Sequence, residues 1–168
     1  QFGEFHALII GNNKYQYIQN LKTAVSDAKS VEQLLSNQYG YKTNLLLNAT
    51  RAEILSKLYE LKQTLKSNDN LLLYYAGHGE MQDSTGHWLP ADAEINNQAN
   101  WIPTIQVSDL ISQFDARKII VIADSCYAGM LSSAPGHLLM KKVDRTSERY
   151  IQYKKPRRSR LLLASGGD

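Results

Sequence analysis

Cysteine is almost absent from this sequence, and that scarcity excludes several classes of protein. Cys126 is the only cysteine among 168 residues. A single thiol excludes a disulfide framework and any zinc site made of several cysteines, and it fits a reducing compartment, so we expect a cytoplasmic protein.

Long hydrophobic runs are absent too, since no apolar stretch approaches the roughly 20 residues that span a bilayer. No charged and apolar leader opens the chain at Gln1, so we expect neither a membrane span nor a secretory signal.

The remaining composition is that of one globular domain, which we expect to extend over residues 1–168. Hydrophobic residues make up 43% of the chain and charged residues 21%, which is enough apolar material for a substantial core. The charge is unevenly distributed. Residues 141–160 carry nine Lys and Arg against two acids, a local net charge of +7, whereas the whole chain has a formal charge of +3. A mildly acidic body therefore carries one basic segment.

Hydrophobic periodicity predicts an α/β fold with a mostly parallel sheet flanked by helices. Short apolar runs, each typical of a buried strand, alternate with longer stretches in which apolar residues recur every three or four positions. Strands are predicted at 6–11, 43–47, 71–76, 118–123 and 160–165. Helices are predicted from 24 to the helix-ending Gly40, from the Thr50–Glu53 capping box to 65, and from 107 to 114 with Thr104 or Ser108 as cap. Residues 80–100 are predicted to be a polar excursion outside the core.

Two reactive side chains follow neighbouring predicted strands. His78 lies in the run Tyr-Ala-Gly-His-Gly after the third strand, and Cys126 lies in Asp-Ser-Cys-Tyr-Ala-Gly after the fourth. Ligand sites of parallel α/β sheets lie beyond the carboxyl ends of the strands, where we expect these residues to meet. A thiol with a pKa of about 8.5 is mostly neutral, but a nearby imidazole stabilises the thiolate and can protonate a leaving amine. The backbone N–H groups of Gly79 and Cys126 are the candidate oxyanion donors.

The His78 and Cys126 motifs resemble those of the caspase and metacaspase group of cysteine peptidases, the peptidase C14 type. The two residues are 48 positions apart, and a histidine roughly 50 residues before the cysteine is a known caspase feature. The resemblance extends over nearly the whole chain, through residues 7–15, 24–28 and 163–167, and it is closest to bacterial caspase-like domains. It implies a caspase-like three-layer α/β/α sandwich and an endopeptidase with Cys126 as nucleophile and His78 as acid and base. It also implies a C-terminal strand and helices that this sequence lacks.

The resemblance also bears on which peptide bond is cleaved. Animal caspases carry Gln-Ala-Cys-Arg-Gly or a near variant around the nucleophile and cut after Asp, whereas this chain has Asp-Ser-Cys-Tyr-Ala-Gly. Metacaspases resemble this chain in having an Asp two residues before the cysteine, here Asp124, and another at the start of the first helix, here Asp27. Two carboxylates in that pocket would bind Arg or Lys, and Arg can be held by two parallel hydrogen bonds. We therefore predict cleavage after Arg or Lys.

The basic segment is predicted to belong to a processing linker at 130–160. In the family that the sequence resembles, maturation cuts between the fourth and fifth strands divide the large from the small subunit, and an Arg- or Lys-selective peptidase would find its own sites here. The candidate self-cleavage sites are Arg145, Arg149, Lys154 and Arg158. A solvated loop and a nucleic-acid patch are the alternatives. Only Tyr150 and Tyr153 lie nearby, so the segment lacks the interleaved aromatic residues that stack on bases, and nucleic acid is not expected as a partner.

No cofactor or metal is required by this chemistry. Calcium activates some metacaspases, and acids of the polar excursion could bind it, but acidic loop residues are usually solvated. Those acids are Asp83, Asp92 and Glu94. The other histidines lack the glycine-flanked context of His78, and we predict that they are surface or turn residues. They are His6, His87 and His137. The expected partners are substrates with a basic residue before the scissile bond, the small-subunit remainder of the same precursor, and a fused or associated sensor domain.

Two other functions fit the sequence less well. A cysteine phosphatase requires an arginine six positions after its nucleophile, and that position is Ser132. A catalytically silent interaction domain on the same fold would not need to retain both His78 and Cys126. The sequence therefore favours an enzyme, with the silent domain as the alternative.

Overall fold

The fold is a three-layer α/β/α sandwich around a mostly parallel sheet, as the sequence predicts. A computed structural model describes residues 3–126 and 159–165. The strands are β1 (Phe5–Gly11), β2 (Lys42–Leu47), β3 (Asn70–Gln82), β4 (Thr85–Trp88), β5 (Ile102–Pro103), β6 (Lys118–Cys126) and β7 (Ser159–Ser165). The helices are α1 (Ala24–Tyr39), α2 (Arg51–Thr64) and α3 (Thr104–Ser112), with a short 3-10 helix at Gln98–Asn100.

The strand order places β3 and β6 side by side in the middle of the sheet. Parallel pairing joins β2 to β1, β1 to β3, β3 to β6 and β6 to β7. The last part of β3 extends beyond the end of β1 and pairs with β4 in the antiparallel direction, and β4 in turn pairs with β5. Strand β3 therefore pairs with β1 and β6 in its first part, with β6 as far as His78, and with β4 from Gly79 to Gln82.

The two faces of the sheet are covered by different helices because successive residues of a strand point to opposite faces. In β1, Ala7 and Ile9 pack in a cluster with residues of α1, whereas Leu8 and Ile10 pack with residues of α2 and α3. Helix α1 lies very close to the end of β1. A Cβ at Gly11 would stand 2.5 Å from the Ala28 Cβ, so a residue without a side chain is needed at this contact.

Local sequence signals explain most of the helix ends, with one correction. Thr50 and Glu53 form the predicted capping box at the start of α2, and Gly40 ends α1 in the left-handed conformation. The predicted caps of the third helix were wrong. Pro103 occupies the cap position of α3, with a φ of −59° and an extended ψ of 134°, and Thr104 is the first helical residue, so neither Thr104 nor Ser108 caps the helix.

Two predicted strands run further than expected, and the residues beyond them are not a polar excursion. β3 does not end at Ala76 but continues through His78 to Gln82, and β6 continues through Asp124 to Cys126. Between residues 80 and 100 the chain forms β4 and buries Trp88, which is only 1% exposed. Glycine is a weak strand former when taken alone, but pairing on both sides of β3 outweighs that preference here.

Asn12 ties the end of β1 to the start of α2, and we expect its removal to destabilise the fold. Its side chain is fully buried, donates from Nδ2 to the Ala49 carbonyl at 3.1 Å, and accepts from the Ala49 N–H at 2.9 Å. Replacement of Asn12 by Ala leaves both Ala49 groups without these partners, so the free energy of unfolding should fall by about 2 kcal/mol. Urea denaturation followed by circular dichroism measures this. The exposed Asn96→Ala is the control, and an equal effect of the two substitutions would contradict the assignment.

Candidate active site

The register of β3 and β6 brings the two candidate catalytic residues to adjacent backbone positions. His78 is paired with Cys126, the last residue of β6, and Ala76 is paired with Asp124. Neighbouring strands lie only about 4.8 Å apart, so the predicted meeting of these strand ends becomes a direct cross-strand pair. Both residues lie within the strands and not in the loops beyond them.

The backbone N–H and carbonyl groups of His78 each contact a tyrosine hydroxyl group. Its N–H donates to the Tyr15 hydroxyl at 2.8 Å. Its carbonyl oxygen accepts from the Tyr75 hydroxyl at 2.6 Å and from the Leu89 N–H at 3.0 Å. Tyr75 is itself fixed by stacking on Trp88, with ring centroids 4.4 Å apart. The candidate base therefore stands on a backbone segment whose polar groups are paired.

The imidazole of His78 is oriented by the loop between β1 and α1, residues 12–23. Its Nε2 lies 2.8 Å from the Gln19 carbonyl oxygen, and its ring lies 4.7 Å from the Tyr15 ring between centroids. Because a carbonyl oxygen only accepts, this contact places the proton on Nε2 and leaves the lone pair on Nδ1. A neutral histidine in this tautomer can accept a proton at Nδ1.

Gly77 is required by the close approach of the two tyrosines. A Cβ at this position would stand 2.7 Å from the Tyr75 hydroxyl oxygen and 2.9 Å from that of Tyr15. Both distances are shorter than a carbon atom tolerates. The glycine before His78 therefore makes room for the hydroxyl groups that bind the His78 backbone.

The Gly79 N–H, predicted as an oxyanion donor, points to the side of β3 on which the parallel pair with β6 lies. The backbone groups of His78 point toward Tyr15 and toward Leu89, which follows β4. Along a strand the N–H groups of successive residues point to alternate edges, so the Gly79 N–H points to the β6 side, where Cys126 ends its strand. Gly79 is buried.

The two predicted pocket carboxylates, Asp27 and Asp124, both raise the pKa of Tyr74. Asp27 lies in the first turn of α1 and is half-buried, and Asp124 is exposed. Burial raises the pKa of the Tyr74 hydroxyl to about 12, and the charges of Asp124 and Asp27 and a hydrogen bond with Asp124 act in the same direction. Sequence positions 27 and 124 are thus brought together, with a neutral tyrosine hydroxyl among them.

Two of the remaining histidines lie at positions that differ from the prediction. His87 is buried in β4 with its ring 5.4 Å from that of Trp101, and His6 lies inside β1, so the prediction of surface or turn positions was wrong for both.

Among the described residues, the acids considered for calcium binding do not form a group that could hold a metal. Asp92 instead accepts from the Arg51 N–H at 2.9 Å, at the start of α2. The group with suitable spacing is Glu4, His6 and Asp69, at the other end of the sheet.

Several predicted residues lie outside the part of the chain that is described. Residues 130–158 of the predicted linker and His137 belong to them, as do the four candidate self-cleavage sites, whereas the last two linker residues, 159 and 160, begin β7. These sites are Arg145, Arg149, Lys154 and Arg158.

Sequence reasoning missed the tyrosines around His78 and the pocket. In the sequence, Tyr74 and Tyr75 are only apolar positions of a predicted buried strand, and Tyr15 is only part of the family motif. Two adjacent tyrosines in a strand that is otherwise aliphatic were a signal, because a buried hydroxyl needs a polar partner. The partner of Tyr15 is 63 residues away, so no local pattern predicts it.

Comparisons with known proteins identify the family. The caspase-domain model of the peptidase C14 family matches residues 4–167. Metacaspase-1 of Saccharomyces cerevisiae is 32% identical over 155 residues, covering 79% of this chain and 35% of the yeast protein. Metacaspase-1 of Eremothecium gossypii is 26% identical over 155 residues, covering 79% of this chain and 34% of that protein. Metacaspase-7 of Arabidopsis thaliana is 27% identical over 143 residues, covering 74% of this chain and 35% of the plant protein. The chain belongs to the caspase-domain family.

A solved structure shows the same fold. The crystal structure of protein GSU0716 from Geobacter sulfurreducens superposes with a TM-score of 0.64 at 21% sequence identity, covering 75% of this chain and 52% of that one. The chain spans about a third of the length of the curated metacaspases, and the expected bacterial origin stays a prediction. Within the described ranges, no helix has the length and apolar character needed to cross a membrane.

Proposed function

We propose that this chain is a cysteine endopeptidase domain that cleaves proteins after Arg or Lys. The observation that carries the proposal is the cross-strand pair of His78 and Cys126, together with the contact that holds His78 Nε2 on the Gln19 carbonyl. The family supplies the cysteine-peptidase chemistry, and the pair of carboxylates near Tyr74 supports the preference for a basic side chain.

The reaction needs only these side chains and water. The Cys126 thiol transfers its proton to Nδ1 of His78, and the thiolate attacks the carbonyl carbon of the scissile bond to form a carbon–sulfur bond. The carbon–nitrogen bond then breaks, and the amine leaves with the proton from His78. Water attacks the resulting thioester while His78 takes its proton, and cleavage of the carbon–sulfur bond releases the acid and restores the thiol.

The tetrahedral intermediate carries a negative oxygen that must be stabilised. We assign this to the N–H groups of Gly79 and Cys126. The Gly79 N–H points toward the β6 side of β3, because the neighbouring His78 groups point the other way. Removal of one such donor costs about 3 kcal/mol of transition-state stabilisation in known hydrolases.

The preference for Arg or Lys rests on charge. Asp27 and Asp124 lie close enough to Tyr74 to shift its pKa, so a basic side chain entering between α1 and the end of β6 meets two carboxylates. A guanidinium can form two parallel hydrogen bonds with a carboxylate, which favours Arg over Lys. A substrate Asp would meet like charges in the same place.

The proposal extends to maturation and partners. We propose that the peptidase cuts its own linker at Arg145, Arg149, Lys154 or Arg158, that it acts with the remainder of its precursor and a sensor domain, and that it works in the cytoplasm without a cofactor. The basic composition of residues 141–160 supports self-cleavage, because each of these side chains matches the proposed specificity. The single cysteine supports the location.

Fluorogenic peptides that differ only at the residue before the scissile bond test this specificity. We expect kcat/KM for the Arg peptide to exceed that for the citrulline peptide, its neutral isostere, by about a hundredfold, since a charge-assisted contact with a carboxylate is lost. The Asp peptide should be cleaved more slowly still.

Calcium and a chelator are added in parallel assays, and we expect equal rates with both. Mass spectrometry of the enzyme itself follows cleavage of its own chain within residues 141–160.

The control in this assay is the substrate pair itself, because Arg and citrulline have nearly the same shape. Equal cleavage of the Arg and citrulline peptides would contradict the role of the carboxylates. Faster cleavage of the Asp peptide would overturn the specificity altogether, and an absence of cleavage of all peptides would favour the silent interaction domain.

A further inference from the structure

We propose that Tyr15 is a positioning residue for the catalytic base, acting on both the backbone and the ring of His78. The inference rests on the proposed peptidase function, because it assigns to Tyr15 the alignment of a side chain that the reaction uses. Tyr15 is only 9% exposed, and no other part of the proposed reaction involves it.

The contacts of Tyr15 with His78 come from two different groups. The Tyr15 hydroxyl accepts the His78 N–H at 2.8 Å, and the Tyr15 ring lies 4.7 Å from the imidazole at an angle of 53°. The hydrogen bond fixes where the His78 backbone sits, and the ring contact limits the rotation of the imidazole. Together they leave few orientations for Nδ1.

The hydroxyl is suited to act as a fixed acceptor. Burial raises the pKa of Tyr15 to about 12, although hydrogen bonds from the His78 backbone and Tyr75 act in the opposite direction. The phenol therefore stays neutral throughout the pH range in which a thiolate–imidazolium pair works. Gly77 keeps the space around this hydroxyl open, since a Cβ there would approach it to 2.9 Å.

The loop that carries Tyr15 is itself held in place. The Tyr15 N–H donates to the Asn20 Oδ1 at 2.8 Å, and the N–H groups of Asn13 and Lys14 both donate to the Asn48 Oδ1 at 2.9 Å. The same loop presents the Gln19 carbonyl to His78 Nε2. Tyr15 and Gln19 thus hold the histidine from one preorganised segment.

Two substitutions separate the roles of the hydroxyl and the ring. Tyr15→Phe keeps the ring and removes the hydroxyl, which accepts the His78 N–H and also hydrogen-bonds with Tyr75, and we expect kcat per active site to fall about tenfold, with KM for the Arg peptide changed less than twofold. Tyr15→Leu also removes the aromatic face beside the imidazolium, and we expect the alkaline limb of the pH profile to move down by about half a pH unit. Tyr39→Phe, an exposed tyrosine at the end of α1, is the control and should behave as wild type.

Active sites are counted with an irreversible peptide inhibitor that alkylates the thiol, so poor folding lowers the number of sites and not kcat per site. An unchanged kcat per site in Tyr15→Phe would overturn the inference. Nitrogen-15 NMR of the full chain gives a readout that does not depend on activity. We expect the Nε2–H tautomer of neutral His78 in the wild type and a mixture of tautomers in Tyr15→Leu.

The NMR result also separates this inference from the proposed function. A wild type that cleaves no peptide would argue against the peptidase, whereas a tautomer that is the same in wild type and Tyr15→Leu would overturn the positioning role whatever the activity.

Discussion

Replacement of Cys126 by alanine should lower kcat/KM for Arg peptides by about 10⁴-fold or more, because the reaction loses the atom that forms the acyl intermediate. His78→Ala should cost nearly as much. The two residues are a cross-strand pair and act as one unit, so the double variant should be no less active than either single variant. The measurement is peptide hydrolysis at high enzyme concentration, normalised to folded protein.

Thiol alkylation supplies an independent check, because Cys126 is the only cysteine in the chain. Iodoacetamide should modify the wild type faster than His78→Ala at neutral pH, since the imidazole raises the fraction of thiolate. Tyr39→Phe serves as the control for both assays and should match the wild type. A Cys126→Ala protein that kept full activity on Arg peptides would sink the peptidase assignment.

Removal of the charge of Asp124 should reduce kcat/KM for the Arg peptide by about a hundredfold and leave the citrulline peptide nearly unchanged. The substitution Asp124→Asn keeps the size of the side chain and its capacity to accept a hydrogen bond, so the charge is the main variable. Asp27→Asn should act in the same direction. Competition assays with the two peptides measure the change in preference directly.

A matched control is available in α3. Asp109 is an exposed aspartate on a different face of the domain, and Asp109→Asn should leave the preference for Arg unchanged. If Asp124→Asn lowered the rates of both peptides equally, Asp124 would act on catalysis and not on the recognition of a basic side chain. If neither peptide were affected, another group would have to supply the specificity.

The sequence predicts the layers of this fold because its signals are local. The nearly continuous apolar run at 6–11 predicts a strand buried on both faces, and the structure confirms it, since Ala7 and Ile9 pack in one cluster and Leu8 and Ile10 in the other. The Thr50–Glu53 capping box is equally local and is also confirmed. The residues of the apolar run are contiguous and those of the capping box are three positions apart, so in each case a pattern in the sequence is sufficient.

The errors come from interactions between distant segments. Gly77 and Gly79 favour the end of a strand when taken alone, yet β3 continues because β6 and β4 pair with it. The polar residues 80–100 contain Trp88, which stacks on Tyr75, and no pattern within the segment predicts that contact. The pairing of His78 with Cys126 could be anticipated from strand ends, whereas the role of Tyr15 required the structure.

The loop at 12–23 leads directly into the first turn of α1, which has a mechanical consequence. Tyr15 and Gln19 hold the imidazole, and Asp27 follows only eight residues after Gln19, in a helix seated on Gly11. A shift of α1 along the sheet would move Asp27 together with the segment that contacts His78. In the proposed peptidase, recognition of a basic side chain and alignment of the base would thus depend on the position of the same helix.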